Sequence, residues 1–168
     1  MSTLDAAAKI IRLVIFDVDG VLTDGRIHFC DDGTETKVFH ARDGHGIKQL
    51  LTNGIAVAII SGRRSESVNR RMQELGVSQI FQGCSDKLPV FESLLEQAGL
   101  TPSEVAYVGD DLPDLEIMSR VGLPIAVADA HPALFDTAAW RTRLPGGRGA
   151  AREVCDLIIG VQARDRQS

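Results

Sequence analysis

"LVIFDVDGVLTDG", residues 13–25, is the stretch whose reading decides the fold. A strand buried on both faces reads as a continuous apolar run, and "IIRLVIF", residues 10–16, does so apart from Arg12. Asp17 and Asp19 therefore fall where the strand leaves the sheet, and Gly20 lets the chain turn away at once. In open α/β sheets, ligands bind at that edge.

Outward from this point, apolar β-type runs alternate with helical stretches, the pattern of a parallel sheet covered by helices. The spacing predicts strands at 10–17, 55–60, 78–82, 105–109 and 124–128. It predicts helices at about 44–53, 65–75, 86–98, 112–120 and 131–136, with a last helix near 149–160. One segment breaks the alternation. "GRIHFCDDGTETKVFHA", residues 25–41, reads as two strands of about five residues around an Asp-Asp-Gly turn, a β-hairpin at about 26–39. An isolated hairpin is marginal in water, so this one is expected to lean on a partner.

The expected fold class is α/β: a Rossmann-like parallel sheet with helices on both faces, plus a β-hairpin inserted after the first strand. From Asp17 to Ser61 the chain is used up by the hairpin, a helix and a strand, and from Lys87 to Asp110 by a helix and its return strand. Neither interval holds a cap domain. A single domain over 1–168 is expected, with a mobile glycine-rich segment at 144–154 ("LPGGRGAAREV") and a flexible tail at about 161–168.

Composition narrows the partners. The chain has 168 residues, of which 44% are hydrophobic, enough to bury one sizeable core. A net charge of −5 and a pI near 5.3 argue against nucleic acid or an anionic membrane surface as the main partner, while leaving room for a small anion in a local basic cleft. Cys30, Cys84 and Cys155 are odd in number and form no CxxC pair, so neither a disulfide framework nor a zinc site is expected. The N-terminal residues show no export cleavage pattern, and no apolar run reaches membrane-spanning length. A cytoplasmic location is the expectation.

Four clusters carry the chemistry. In "DVDG", residues 17–20, a carboxylate at a strand end can attack phosphorus, and a second acid beyond one residue can reach the leaving-group oxygen. Taken alone, the same residues also read as an Asx turn. In "IISGR", residues 59–63, Ser61 can donate to a phosphoryl oxygen near a helix start, or act as an ordinary N-cap. Lys87 stands at a helix start, where the macrodipole disfavours a cation unless an anion is close; a solvated surface lysine is the alternative. In "VAYVGDDLPDLEIM", residues 105–118, Asp110, Asp111 and Asp114 crowd a helix start, and their repulsion calls for a cation. Hard oxygen ligands without a nearby His or Cys suit Mg²⁺. Capping accounts for two such aspartates more easily than for three.

In this order, DxDGVLTDG, SGR, the helix-starting Lys and GDDxxD resemble the haloacid dehalogenase superfamily of aspartate-nucleophile phosphatases. The fuller wording, from "DVDGVLTDGRI" through "GTETKVFHARDGHGIKQL" to "GGRGAAREVCDLII", closely resembles its uncapped subgroup of 3-deoxy-D-manno-octulosonate 8-phosphate phosphatases. The resemblance implies Mg²⁺-dependent hydrolysis of that sugar phosphate, in lipopolysaccharide precursor biosynthesis, through an aspartyl-phosphate. By the same resemblance Asp17 would be the nucleophile and a metal ligand. Asp19 would be the general acid/base, touching the sugar phosphate and offering its backbone carbonyl to the metal. Asp110 would be the third metal ligand. Ser61 and Lys87 would hold the phosphoryl group, with Asp111 and Asp114 supporting the metal site and orienting Lys87. The sugar-binding positions would be His40, Ala41, Arg42, Asp43, Gly44, Lys48, Arg63 and Arg71. The sequence departs from the family's commonest wording at His40, His45 and Lys48.

Two other functions fit the same residues: a phosphatase for a nine-carbon sialic-type acid 9-phosphate, and a non-catalytic regulatory module on the same fold. Intact Asp17, Asp19, Lys87 and Asp110 argue against the module. Because an uncapped site stays open to water, the resemblance implies a homo-oligomer, a tetramer whose hairpins associate so that neighbours cover each other's sites. Arg148, Arg152 or the tail is expected to act near a neighbouring site, with an intramolecular cover as the competing reading.

Overall fold

The computed structural model describes residues 2–167. The chain opens with α1 (Thr3–Lys9), a helix absent from the sequence reading. A capping box starts it: Ser2 Oγ accepts from the Asp5 amide while the Asp5 carboxylate accepts from the Ser2 amide. Ile10 ends this helix, so β1 (Leu13–Phe16) begins three residues later than the apolar run implies.

The hairpin follows β1 as expected, but its strands β2 (His28–Phe29) and β3 (Glu35–Thr36) hold two residues each rather than about five. The Cys30 amide donates to the Thr34 carbonyl to close the turn. Next come α2 (Ala41–Thr52), β4 (Ala56–Ser61), α3 (Glu66–Leu75), β5 (Gln79–Gln82), α4 (Leu88–Ala98) and β6 (Val105–Gly109). A 3₁₀ turn at Leu112–Asp114 leads into the short α5 (Leu115–Met118), followed by β7 (Leu123–Ala126), β8 (Trp140–Arg141) and α6 (Ala150–Asp165). The helix predicted at 131–136 is only a 3₁₀ turn, Pro132–Leu134, and β8 was not anticipated because two residues carry no periodicity.

The six main strands lie in the order β5-β4-β1-β6-β7-β8, and every pairing is parallel. β1 is central. Phe16 is level with Ile59 of β4 on one side and with Val108 of β6 on the other. The carboxyl ends of these three strands therefore meet at the point where the chain winds to opposite sides of β1, which opens a crevice in α/β sheets. Burial on both sides explains why β1 reads as an unbroken apolar run: Leu13, Val14, Ile15 and Phe16 are all in the core.

Helix α6 packs on α2 and α1. Its buried Val154, Ile158 and Val161 recur at helical spacing, so the helix continues through residue 165 instead of ending near 160. This corrects the expected tail: residues 161–165 are helical, and Gln162 Nε2 donates to the Ala8 and Ile11 carbonyls. The glycine-rich segment is also packed rather than loose. Gly146 and Gly147 sit against Gly20, Thr23 and Asp24, with the Gly147 amide donating to the Val21 carbonyl.

Candidate active site

At the carboxyl ends of β1, β4 and β6 lies a cavity of about 330 Å³, lined by residues that include Asp17, Asp19, Ser61, Arg63, Lys87 and Asp110. A larger groove of about 600 Å³ beside it, between α3 and β5, holds none of the strand-end carboxylates. The chemistry lies in the smaller cavity.

The centre is a buried ion cluster. Lys87, the residue preceding α4, places Nζ 2.7 Å from Asp17 Oδ1 and 2.7 Å from Asp114 Oδ1. Asp17, Lys87 and Asp114 are all buried, so the ammonium is neutralised across 70 positions of sequence by Asp17 and across 27 by Asp114. Burial pulls the Lys87 pKa down, but the two carboxylates outweigh it and hold the group above its ordinary value. Burial raises Asp17 to about 7 against the opposing pull of Lys87, with Asp114 adding to the rise. Asp110 goes up to about 8, first through burial and then through repulsion from Asp17, Asp114 and Asp111.

Carboxylate oxygens of Asp17, Asp110 and Asp114 lie within 4.8 Å of one another. Both oxygens of Asp114 are already engaged: Oδ1 accepts from Lys87 and Tyr107, and Oδ2 from the Asp110 and Asp111 amides. That leaves Asp17 and Asp110 as the side chains fitted to a cation, with Asp114 bracing Lys87 and the loop. Gly20 makes the arrangement sterically feasible, because a β-carbon there would stand 1.9 Å from Asp110 Oδ2. The all-oxygen donor set and the raised pKa values fit a divalent cation that relieves the repulsion.

Asp111 does not reach Lys87. It caps the 3₁₀ turn, its Oδ1 accepting from the Leu112 amide at 2.8 Å. Ser61 is buried at the end of β4, and the following helix starts only at Glu66, so Gly62 to Ser65 separate the hydroxyl from the helix N-terminus.

The expected sugar-binding residues divide. Arg63 lines the cavity, but His40, Ala41, Arg42, Asp43, Gly44, Lys48 and Arg71 do not. His40 caps α2, which starts at Ala41 rather than near 44, so these residues form the first turns of a helix and not a loop. His40, Asp43, Gly44 and Arg71 border a separate small cleft between α2 and α3. Gly44 is in close contact with Arg71, whose guanidinium also bonds Glu74. Asp43 is buried, and its Oδ1 accepts from the Arg152 amide at 2.8 Å, capping α6 from another helix where Gly149 has no side chain to do so. Ala41, Arg42 and Lys48 are exposed on α2. Arg152 pairs with Asp156 and Arg148 lies 4.0 Å from Asp24.

Three residues of the site were missed. Tyr107, wholly buried in β6, donates its hydroxyl to Asp114 Oδ1 at 2.6 Å beneath Lys87. Burial, followed by the charges of Asp114 and Asp17, pushes its pKa well up, so it remains a donor. From the hairpin, Lys37 and Glu35 meet residues that line the cavity: Lys37 donates to Asp19 Oδ1, and Glu35 accepts from Arg63. The alternation in β6 flags Tyr107 only as core. Nothing local marks the hairpin charges.

Comparison with known proteins places this geometry. A family model described as haloacid dehalogenase-like hydrolase matches residues 42–122. The 3-deoxy-D-manno-octulosonate 8-phosphate phosphatase KdsC of Escherichia coli K12 is 52% identical over 159 residues, covering 95% of this chain and 85% of that protein. Among solved structures, the phosphatase of the same description from Yersinia pestis has a TM-score of 0.95 at 49% identity, covering 97% of this chain and 88% of that one. The Moraxella catarrhalis phosphatase, solved in complex with a magnesium ion, a phosphate ion and a KDO molecule, has a TM-score of 0.95 at 42% identity, covering 99% and 96%.

Proposed function

This chain belongs to the haloacid dehalogenase-like hydrolases, among the 3-deoxy-D-manno-octulosonate 8-phosphate phosphatases, and we propose that it hydrolyses this sugar phosphate to the free sugar acid and inorganic phosphate. The observation that carries the mechanism is the Asp17 carboxylate, presented at the end of β1 and held 2.7 Å from Lys87 in the cavity.

Asp17 Oδ attacks phosphorus as the bond to the sugar oxygen breaks, giving an aspartyl-phosphate, and Asp19 hands its proton to the leaving oxygen. Water then attacks phosphorus, its proton passes to Asp19, and the Asp17–phosphorus bond breaks, which restores both acids. Lys87 and Ser61 hold the non-bridging oxygens, and Tyr107 and Asp114 keep Lys87 in place. Asp17 and Asp110, with the Asp19 carbonyl, would hold Mg²⁺, whose chemistry is to offset the repulsion between the carboxylate nucleophile and the phosphate. Asp17 is anchored at the end of β1 and by Lys87, so little ordering of the nucleophile is left to the reaction itself.

The eight-carbon substrate in the relatives' names favours it over the nine-carbon alternative, and the intact cluster favours an enzyme over a regulatory module. We further place the working form as a homo-oligomer, with a tetramer the preferred assembly. Phe29 and Val38 on the hairpin are 67% and 69% exposed, and the cleft formed by His40, Asp43, Gly44 and Arg71 lies outside the catalytic cavity of its own chain. A neighbour's copy of that cleft completes the sugar site. Among the described residues no helix is long and apolar enough to cross a membrane, and three free cysteines fit a reducing compartment; we assign the cytoplasm.

The deciding experiment measures phosphate release from the eight-carbon and nine-carbon sugar acid phosphates with and without Mg²⁺. Preference for the eight-carbon substrate, lost in excess chelator, is expected. Light scattering on the same preparation gives the assembly size, and a fully active monomer overturns the oligomer reading.

A further inference from the structure

The two-residue ladder of the hairpin is too short to hold itself, yet one side chain beside it is almost enclosed. Lys37, just past β3, is 2% exposed along its side chain, whereas Val38 next to it is 69% exposed. The Lys37 ammonium donates to Asp19 Oδ1 and stands 3.0 Å from Glu35 Oε1. The other oxygen of Glu35 accepts from Arg63 Nη2. Asp19, Lys37, Glu35 and Arg63 thus form one alternating chain of charge joining the loop after β1, the hairpin and the loop after β4.

An enclosed ammonium is costly unless it is paired, and here it is paired twice. Lys37 faces Asp19 and Glu35 and, unlike Lys87, does not line the cavity, whereas Arg63, with its side chain 41% exposed, does.

We propose that Lys37 is a positioning residue, fixing the rotamer of Asp19 for proton transfer to the leaving oxygen, and that Glu35 holds Lys37 and Arg63 in place for it. This rests on the reading of Asp19 as the general acid. In the step concerned, the Asp17 oxygen–phosphorus bond forms, the phosphorus–leaving-group bond breaks, and the Asp19 proton moves to the departing oxygen. A poor leaving group depends on that proton, whereas a good one hardly does.

The test compares kcat/KM of wild type, Lys37→Met, Lys37→Arg and Glu35→Gln on phenyl phosphate and 4-nitrophenyl phosphate. These esters are similar in size, lack the sugar and differ in leaving-group basicity, and kcat/KM stops at the first irreversible step, so later hydrolysis of the aspartyl-phosphate does not enter. Lys37→Met is expected to lose about tenfold or more on phenyl phosphate and less than about threefold on 4-nitrophenyl phosphate, since general acid catalysis is worth about 10²–10⁴. Lys37→Arg should recover part of the loss, and Glu35→Gln should show the same leaving-group dependence to a smaller degree. Equal losses on the two esters, or none on either, overturn the proposal. If Lys37→Met fails to fold, Glu35→Gln decides by the same ratio. A wild type that cleaves aryl phosphates but not the eight-carbon sugar phosphate overturns the substrate reading alone, while one that cleaves neither overturns both.

Discussion

Gly146 lies so close to Gly20 that a β-carbon at 146 would stand 1.7 Å from the Gly20 carbonyl oxygen. Gly20 in turn lies against the Asp110 carboxylate, so the loop before α6 is a wedge behind the catalytic loop. Gly146→Ala is therefore expected to displace the Asp19–Gly20 turn, and overpacking of this kind costs about 1–3 kcal/mol, or roughly 2–10 °C in Tm for a chain of this size. Calorimetry and kcat measured together check it. Activity should fall further than the lost folded fraction explains, and unchanged kcat at a temperature where the variant is folded counts against the wedge.

The contact between Lys87 and Asp17 makes a chemical prediction. Asp17→Asn keeps the shape and can still accept from Lys87, but an amide is a poor nucleophile, so kcat should fall by on the order of 10³-fold or more with the fold intact. Phosphate release and circular dichroism on the same sample decide this. Retention of near-wild-type turnover would remove Asp17 from its role.

A pH prediction follows from burial of the acids. Asp17 and Asp110 have pKa values raised to about 7 and about 8 in the folded protein. Between the ordinary carboxylate range near about 4 and these values, the folded state binds more protons than the unfolded chain, so metal-free stability is greatest on the acid side and is lost as pH rises toward 8. Protons compete with Mg²⁺ for the same oxygens, so apparent Mg²⁺ affinity should climb from pH 6 to 8 and saturating Mg²⁺ should flatten the stability slope. Tm scans with chelator and with Mg²⁺ across pH 5.5 to 8.5 test both signs. A chelated protein that grows more stable between pH 6 and 8 contradicts the burial argument.

The end of α6 yields a prediction opposite to the one a flexible tail implies. Val161 is buried and Gln162 donates to Ala8 and Ile11, tying α6 to α1 and to the residues that lead into β1. Removing residues after Gly160 is expected to cost roughly 2–4 kcal/mol, from one lost apolar side chain and two hydrogen bonds. Denaturant unfolding gives the number, and Gln162→Ala alone should show the smaller, hydrogen-bonding part. A truncation that leaves stability untouched and lowers only activity would restore the tail reading.

Asp17, Asp19, Ser61, Lys87 and Asp110 were legible in the sequence by itself because each follows an apolar strand or opens a helix, and those boundaries are set by local periodicity and turn chemistry. Once the strands are known to be parallel, their carboxyl ends must share an edge, and the five residues meet there without any further information. Asp43, Lys37, Glu35 and Tyr107 were decided only by tertiary structure. Asp43 reads as a polar residue near a helix start, yet packing of α2 on α6 turns it onto an amide 109 positions away. Glu35 sits on, and Lys37 just past, a strand too short for alternation to say which face turns inward. The reason is energetic: a buried charge is tolerated only where another charge meets it, and whether two segments far apart in sequence bring those charges together depends on how the folded elements pack.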